Sequence, residues 1–141
     1  MSLSANLQQV VPFLGVTDMS ASLRFYVDGL GFGVEKRWEP EGALRWCWLE
    51  RDGVSLMLQE FWREGPHAGR PKGPLGQGVS VGFICRDALA LYHEFSARGM
   101  AAGRPFVGNG MWVIELRDPD GYLLFFESAT DAPEESVYAG G

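Results

Sequence analysis

The chain has no apolar run approaching the ~18 residues needed to cross a bilayer, and no basic–apolar–small-residue leader pattern opens it. A membrane is therefore not an expected partner, and a cytoplasmic location is the expectation. Histidine is scarce, at two residues, and so is cysteine, at two. Cys47 and Cys85 lie in alternating apolar runs without CxxC spacing. They read as buried, reduced thiols rather than as a disulfide or a metal pair. Basic residues are outnumbered, with 12 Lys and Arg against 18 Asp and Glu and a net charge of -6. Such a field repels polyanions, so nucleic acid is not an expected partner, and a cationic ligand is mildly favoured. No phosphate-binding Walker loop and no dinucleotide fingerprint occurs. The stretch Gly78-Val79-Ser80-Val81-Gly82 matches a nucleophile-elbow pattern on paper. Its serine falls inside a strand instead of on a strand-to-helix elbow, which removes that chemistry.

What the chain does contain is a repeat. Its 141 residues are 46% hydrophobic and 21% charged, the size and make-up of one globular domain. The apolar run 10–16 returns at 79–85, and Val10 and Val79 stand 69 residues apart, as do Asp18 and Asp87. Each aspartate is placed to accept the free N–H groups of a following helix. The helices are expected over about 20–29 and 88–98, where Leu23, Phe25, Tyr26 and Leu30, then Leu89, Leu91, Tyr92 and Phe95, follow helical spacing. Two hairpins come next. One folds at Asp52-Gly53, the other at Asp118-Pro119-Asp120-Gly121. Trp46 and Trp112, 66 residues apart, mark the same place in the two hairpins on this reading. Room remains for one more strand in each half, about 33–38 and 104–107.

The expected fold is thus α+β: two tandem βαβββ modules forming a cup-shaped mixed sheet with helices on the outside. The halves are 8–61 and 79–128, joined by a Gly/Pro-rich linker over 62–78 and followed by a polar, loosely held tail over 129–141.

The paired modules, the segment 16–26 (Val-Thr-Asp-Met-Ser-Ala-Ser-Leu-Arg-Phe-Tyr) and the turn 116–122 (Leu-Arg-Asp-Pro-Asp-Gly-Tyr) resemble the vicinal oxygen chelate superfamily. That superfamily includes glyoxalase I, bleomycin resistance proteins, fosfomycin resistance enzymes and extradiol dioxygenases. The resemblance covers about 8–128 and implies a homodimer. Its enzymes hold a divalent metal through the first and last strands of each half. Carried over residue by residue, the ligand positions fall on Val11, Met57, Ser80 and Phe125. Valine, methionine and phenylalanine offer no hard oxygen or imidazole nitrogen, so no metal and no other cofactor is expected.

Gln59 and Glu127 lie two residues beyond Met57 and Phe125, on the same face of their strands. They either hydrate the cup's rim or bind a ligand, with Glu127 suited to a cation. Five tryptophans are many for this length. If Cys47 and Leu49 pack under the helices, Trp46 and Trp48 face the cup, with Trp112 as a repeat partner and Trp38 and Trp62 at the mouth. They are either a π-surface for a flat or cationic ligand or filler of core and dimer interface. The expected ligand-binding set is Phe13, Trp46, Trp48, Gln59, Trp62, Trp112, Phe125 and Glu127. No residue is assigned as a nucleophile or general base, His67 and His93 included. The resemblance implies a metal-free protein of bleomycin resistance character that sequesters an aromatic, cationic small molecule. A metal-dependent glyoxalase- or dioxygenase-like lyase or oxidoreductase is the alternative.

Overall fold

A computed structural model describes residues 4–65 and 68–140. Two copies of one βαβββ plan follow each other. The first holds β1 (Phe13–Val16), a helix, β2 (Gly33–Trp38), β3 (Trp46–Arg51) and β4 (Val54–Glu60). The second holds β5 (Ser80–Ile84), α2 (Ala88–Ala97), β6 (Phe106–Gly108), β7 (Met111–Arg117) and β8 (Leu123–Ala129). The strands form two four-stranded mixed sheets of the same order, β1-β4-β3-β2 and β5-β8-β7-β6. In each, the first strand runs parallel to the last, with Phe13 beside Met57 and Gly82 beside Phe125.

The local signals account for these elements. The Asp18 carboxylate accepts from the N–H groups of Ser20 and Ala21, and Asp87 accepts from Ala90. The hairpin between β3 and β4 turns at Asp52 (φ 52°) and Gly53 (φ 81°), the two positive values a tight primed turn requires. The last strand of each half also caps that half's helix from the side. A Glu60 oxygen accepts from Met19 N–H at 2.9 Å, and the Ser128 hydroxyl from Ala88 N–H at 2.8 Å. Ser128 and Ala88 are both buried. Ser128→Ala is therefore expected to cost about 1–2 kcal/mol by orphaning that N–H, read as a shift in the urea midpoint at unchanged m-value.

The first helix departs from regular winding. It is α-helical over Met19–Leu23 (α1) and π-helical over Arg24–Gly29, with Leu30 N–H donating to Phe25 C=O at 2.9 Å. A tertiary tie accompanies the wider turn: Tyr26, fully buried, donates its hydroxyl to Asp118 of the second half at 2.8 Å.

Alternate residues of each sheet enter one shared core. Leu14, Val16, Cys47, Leu49, Leu56 and Leu58 meet Phe83, Ile114, Leu116, Leu124 and Phe126, with Tyr26, Leu30 and Phe95 from the helices and the turn that follows the first. The halves thus join through their helix sides, and the other face of each sheet is open. Polar ties cross the same seam. Thr17 N–H donates to Asp120, Tyr122 OH donates to Gly15 C=O, and Arg51 pairs with Glu94.

The tail differs from its expectation of loose attachment. Val107 N–H donates to Ser136 C=O, Glu135 N–H to Val107 C=O and Tyr138 N–H to Pro105 C=O. The free edge of β6 supplies those backbone groups, so the tail adds to the sheet as a short strap. Among the described residues, no helix is long and apolar enough to cross a membrane.

Candidate functional site

Residues paired across neighbouring strands share a face, so the registers define what each open face displays. In the first half one row runs Trp38–Trp46–Gln59–Gly15 and the next Lys36–Trp48–Met57–Phe13. Trp62 meets Trp38 edge-to-face, with ring centroids 5.9 Å apart. The Lys36 ammonium sits 5.0 Å from the Trp48 ring centroid, within reach of a cation–π attraction. The Phe61 ring covers Gly15 so closely that a Cβ there would meet its atoms at 2.6–2.7 Å. Four of the chain's five tryptophans therefore gather on or beside one open sheet face.

The second half presents a different surface from the same plan. Its rows run Phe106–Val113–Glu127–Ile84 and Glu115–Phe125–Gly82. The Phe125 ring lies over Gly82, where a Cβ would clash with it. Glu115 and Glu127 stand on adjacent strands and one pair apart, the diagonal arrangement that puts side chains about 7–8 Å from each other. No hydrogen bond or ion pair of the described residues engages either side-chain carboxylate. Ile84 (69% exposed) and Phe13 (55%) leave both faces with apolar surface in water.

The expected binding residues divide accordingly. Phe13, Trp46, Trp48, Gln59 and Trp62 come together on the first face or its rim, and Phe125 and Glu127 on the second. No hydrogen bond or ring contact of the described residues links the two groups. Trp112 belongs to neither. It pairs with Ser128 and Val107, on the helix side, and its ring meets Tyr138 of the tail with centroids 5.8 Å apart. The correction lies in the offset. Gln59 and Glu127 are true equivalents, and their partners are Trp46 and Val113, which stand 67 residues apart, not 66. A one-residue slip turns a strand side chain to the opposite face.

The same registers name what was missed. Glu115 is the counterpart of Trp48 once the offset is corrected. Lys36 was hidden by a bulge in β2, which lets Val34 pair with core-facing Leu49 and Lys36 with open-face Trp48. Phe61 had a signal in Gly15, since a glycine inside a strand marks a close approach.

The four positions that the resemblance equates with metal ligands hold a poor donor set for a divalent metal. Val11, Met57, Ser80 and Phe125 supply one hydroxyl and one thioether between them, and the Phe125 ring fills the space above Gly82. Among the described residues no three His, Cys, Asp or Glu side chains converge. His93 lies on α2 with its Nε2 2.8 Å from Tyr138 OH, and His67 is outside the described residues. Asp118 and Asp120 are staples of the fold. Asp118 accepts from Asp120 N–H, Tyr122 N–H and Tyr26 OH, and Asp120 from Thr17 N–H. Burial raises the Asp118 carboxyl above its ordinary value, against the lowering effect of those bonds. Burial also pushes the Cys47 thiol up to about 11, so it is held as a neutral core group.

The model of the glyoxalase/bleomycin resistance protein/dioxygenase superfamily matches residues 6–126 of the chain. No curated protein matches it by sequence. Solved structures match in fold. A glyoxylase/bleomycin resistance protein/dioxygenase domain from Frankia sp. EAN1pec is 19% identical, with a TM-score of 0.70, 91% of this chain covered and 96% of the other. The bleomycin-binding protein of bleomycin-producing Streptomyces verticillus, solved with copper(II)-bleomycin, is 20% identical, with a TM-score of 0.66 and coverages of 90% and 99%. TnmS3, an antibiotic-binding protein from Streptomyces sp. CB03234, is 19% identical, with a TM-score of 0.64 and coverages of 87% and 98%. At these identities the likeness is one of fold.

Proposed function

The chain belongs to the glyoxalase/bleomycin resistance protein/dioxygenase superfamily, and from that premise we propose that it is a metal-free binding protein for a flat, cationic aromatic small molecule. The observation that carries this reading is the open face of the first sheet, with Trp46, Trp48 and Trp38 in register and Trp62 against them. Indole rings bind planar rings and cations through their π-faces, and the Lys36 ammonium at 5.0 Å from the Trp48 ring is such a cation, which a cationic ligand would displace. Glu115 and Glu127 on the second sheet, without an ion pair among the described residues, supply negative charge for the same ligand, in a chain of net charge -6. The side chains at Val11, Met57 and Phe125 favour an apolar lining over Lewis-acid chemistry. Neighbours in fold that bind bleomycin or an antibiotic support the choice of ligand class, and with it a role in antibiotic resistance by sequestration.

The site is a homodimer's. One half supplies the aromatic face and the other the acidic one, and within one chain the two open faces lie on separate sheets. A second copy would let the first sheet of one protomer face the second sheet of its partner and would cover apolar surface now in water. Light scattering is the check on that assembly, and a monomer at micromolar concentration would count against it.

Tryptophan emission is the direct test of binding. Titration with a bleomycin is expected to quench saturably, and Trp48→Ala to weaken binding by roughly tenfold or more, the loss of one stacked anchor. Flat emission up to high ligand concentration would sink the proposal. Stoichiometric nickel, zinc, iron or manganese in the purified protein would favour a metalloenzyme instead.

A further inference from the structure

The helix side of the molecule carries a second concavity, separate from the open sheet faces. It lies at the seam between the halves, with a volume of about 290 Å³, near the lower end of small-ligand pockets. Its floor is Leu30, Phe32, Phe83, Leu91 and Phe126. The rings of Phe83 and Phe126 stack at 4.7 Å with planes 12° apart, and Phe32 meets Phe83 edge-on at 6.0 Å. Phe83 and Phe126 point to the opposite side of β5 and β8 from Gly82, Phe125 and Glu127, so this pocket shares no wall with the acidic sheet face beyond the edge residue Ile84.

The ion pairs at the mouth leave one guanidinium without a partner. Arg51 forks onto Glu94 at 2.8 and 2.9 Å and donates to Leu30 C=O. Arg98 joins Glu94 at 2.8 Å, and Asp52 lies 3.6 Å from the Arg51 Nε. Those two guanidinium groups are matched by two carboxylates. Asp87, next in sequence to the mouth, has its carboxylate on Ala90 N–H at the start of α2. Arg86 has no hydrogen bond or ion pair among the described residues and lines the pocket. Arg86 is thus the guanidinium at the mouth that no carboxylate pairs among the described residues, and it stands above an aromatic floor.

We infer that this seam pocket binds a small aromatic or apolar monoanion, such as an aryl carboxylate, with its ring on Phe83 and Phe126 and its charge against Arg86. The ligand is opposite in charge to the one proposed for the sheet faces, so one protein would carry two sites of distinct chemistry. Because the pocket lies where the halves meet, an occupant touches Phe32 and the β3–β4 turn of the first half and α2 of the second.

The probe is 1-naphthoate, with 1-naphthylmethanol as its neutral counterpart, titrated into the full chain and followed by amide chemical shifts. Saturable shifts are expected at Phe83, Cys85, Arg86 and Leu91. Arg86→Glu is expected to weaken naphthoate binding roughly tenfold, by replacing an attraction with a repulsion, and to leave the weaker binding of the alcohol unchanged. Arg86 is exposed, so the variant keeps its fold. Cys85 supplies a second readout, since it lines the pocket while Cys47 is buried. Naphthoate should slow its alkylation by iodoacetamide several-fold, in line with fractional occupancy. Shifts confined to Trp46, Trp48 and Glu127, equal affinity for acid and alcohol, or no saturation at millimolar naphthoate would each overturn the assignment.

Discussion

Asp118→Ala is expected to destabilise the fold by roughly 3–5 kcal/mol and to lower the melting temperature by roughly 10 °C. The carboxylate is 5% exposed and accepts three hydrogen bonds, at 2.8 Å from Tyr26 OH and 2.9 Å from the N–H groups of both Asp120 and Tyr122. Its removal leaves the phenol of a wholly buried tyrosine without a partner and frees the turn between β7 and β8. That turn carries Asp120, which holds Thr17, and leads into Tyr122, which holds Gly15 C=O. The loss therefore reaches the seam between the halves. Tyr26→Phe removes one bond and leaves the other two, and about 1–2 kcal/mol is expected. Urea melts of the two variants at one pH make the comparison, and equal losses would mean that the turn bonds contribute nothing.

A pH signature separates this carboxyl from the rest. Burial raises its folded pKa above the ordinary 3.8, so the folded state holds the proton more tightly than the unfolded chain does. The stability tied to this group is then full below pH 3.8 and falls as pH rises through the raised folded value. Asp118→Asn, which has no proton to lose, removes that dependence. The stability difference between wild type and Asp118→Asn should accordingly shrink or change sign with rising pH above about 4, whereas a lowered folded pKa would make it grow.

The paired βαβββ plan was legible in the sequence because the duplication is marked at points where backbone chemistry leaves little choice. Asp18 and Asp87 cap helices, and Asp52-Gly53 makes a turn that needs two positive φ values. The registers between those points were less legible. Trp46 and Trp112 look equivalent because two indoles are conspicuous, yet the strand ladders equate Trp46 with Val113. An extra turn residue can be absorbed at more than one place, and only pairing decides where. The bulge at Glu35 hid Lys36 for the same reason. The polarity of the tail suggests loose attachment, whereas its backbone groups, which any composition has, are what bind β6. The seam pocket needed the packing of the two halves, for Phe32 and Phe83 are 51 positions apart and touch only in the folded chain.

Reversing charge at the acidic sheet face, with Glu115→Lys and Glu127→Lys together, is expected to weaken binding of a cationic ligand by roughly 100-fold or more. Each carboxylate lies open on the sheet beside apolar Phe125 and Val113, and no cation among the described residues pairs with it. In water one such charge is worth little, because solvent screens it. A bound ligand that covers the face expels that solvent, and the attraction becomes a repulsion of several kcal/mol between like charges at short range. The single reversals should give smaller losses that together fall short of the double one, since both act on one ligand charge. Salt supplies the internal control. Wild-type affinity should fall between 50 mM and 500 mM salt, and the double variant's should rise. Both side chains sit at positions that tolerate polarity, so melting temperatures are expected to move little. A double variant that binds the cation unchanged while Trp48→Ala abolishes binding would place the ligand on the aromatic face alone. The acidic sheet would then have no part in the site, and the dimeric arrangement proposed above would lose its ground.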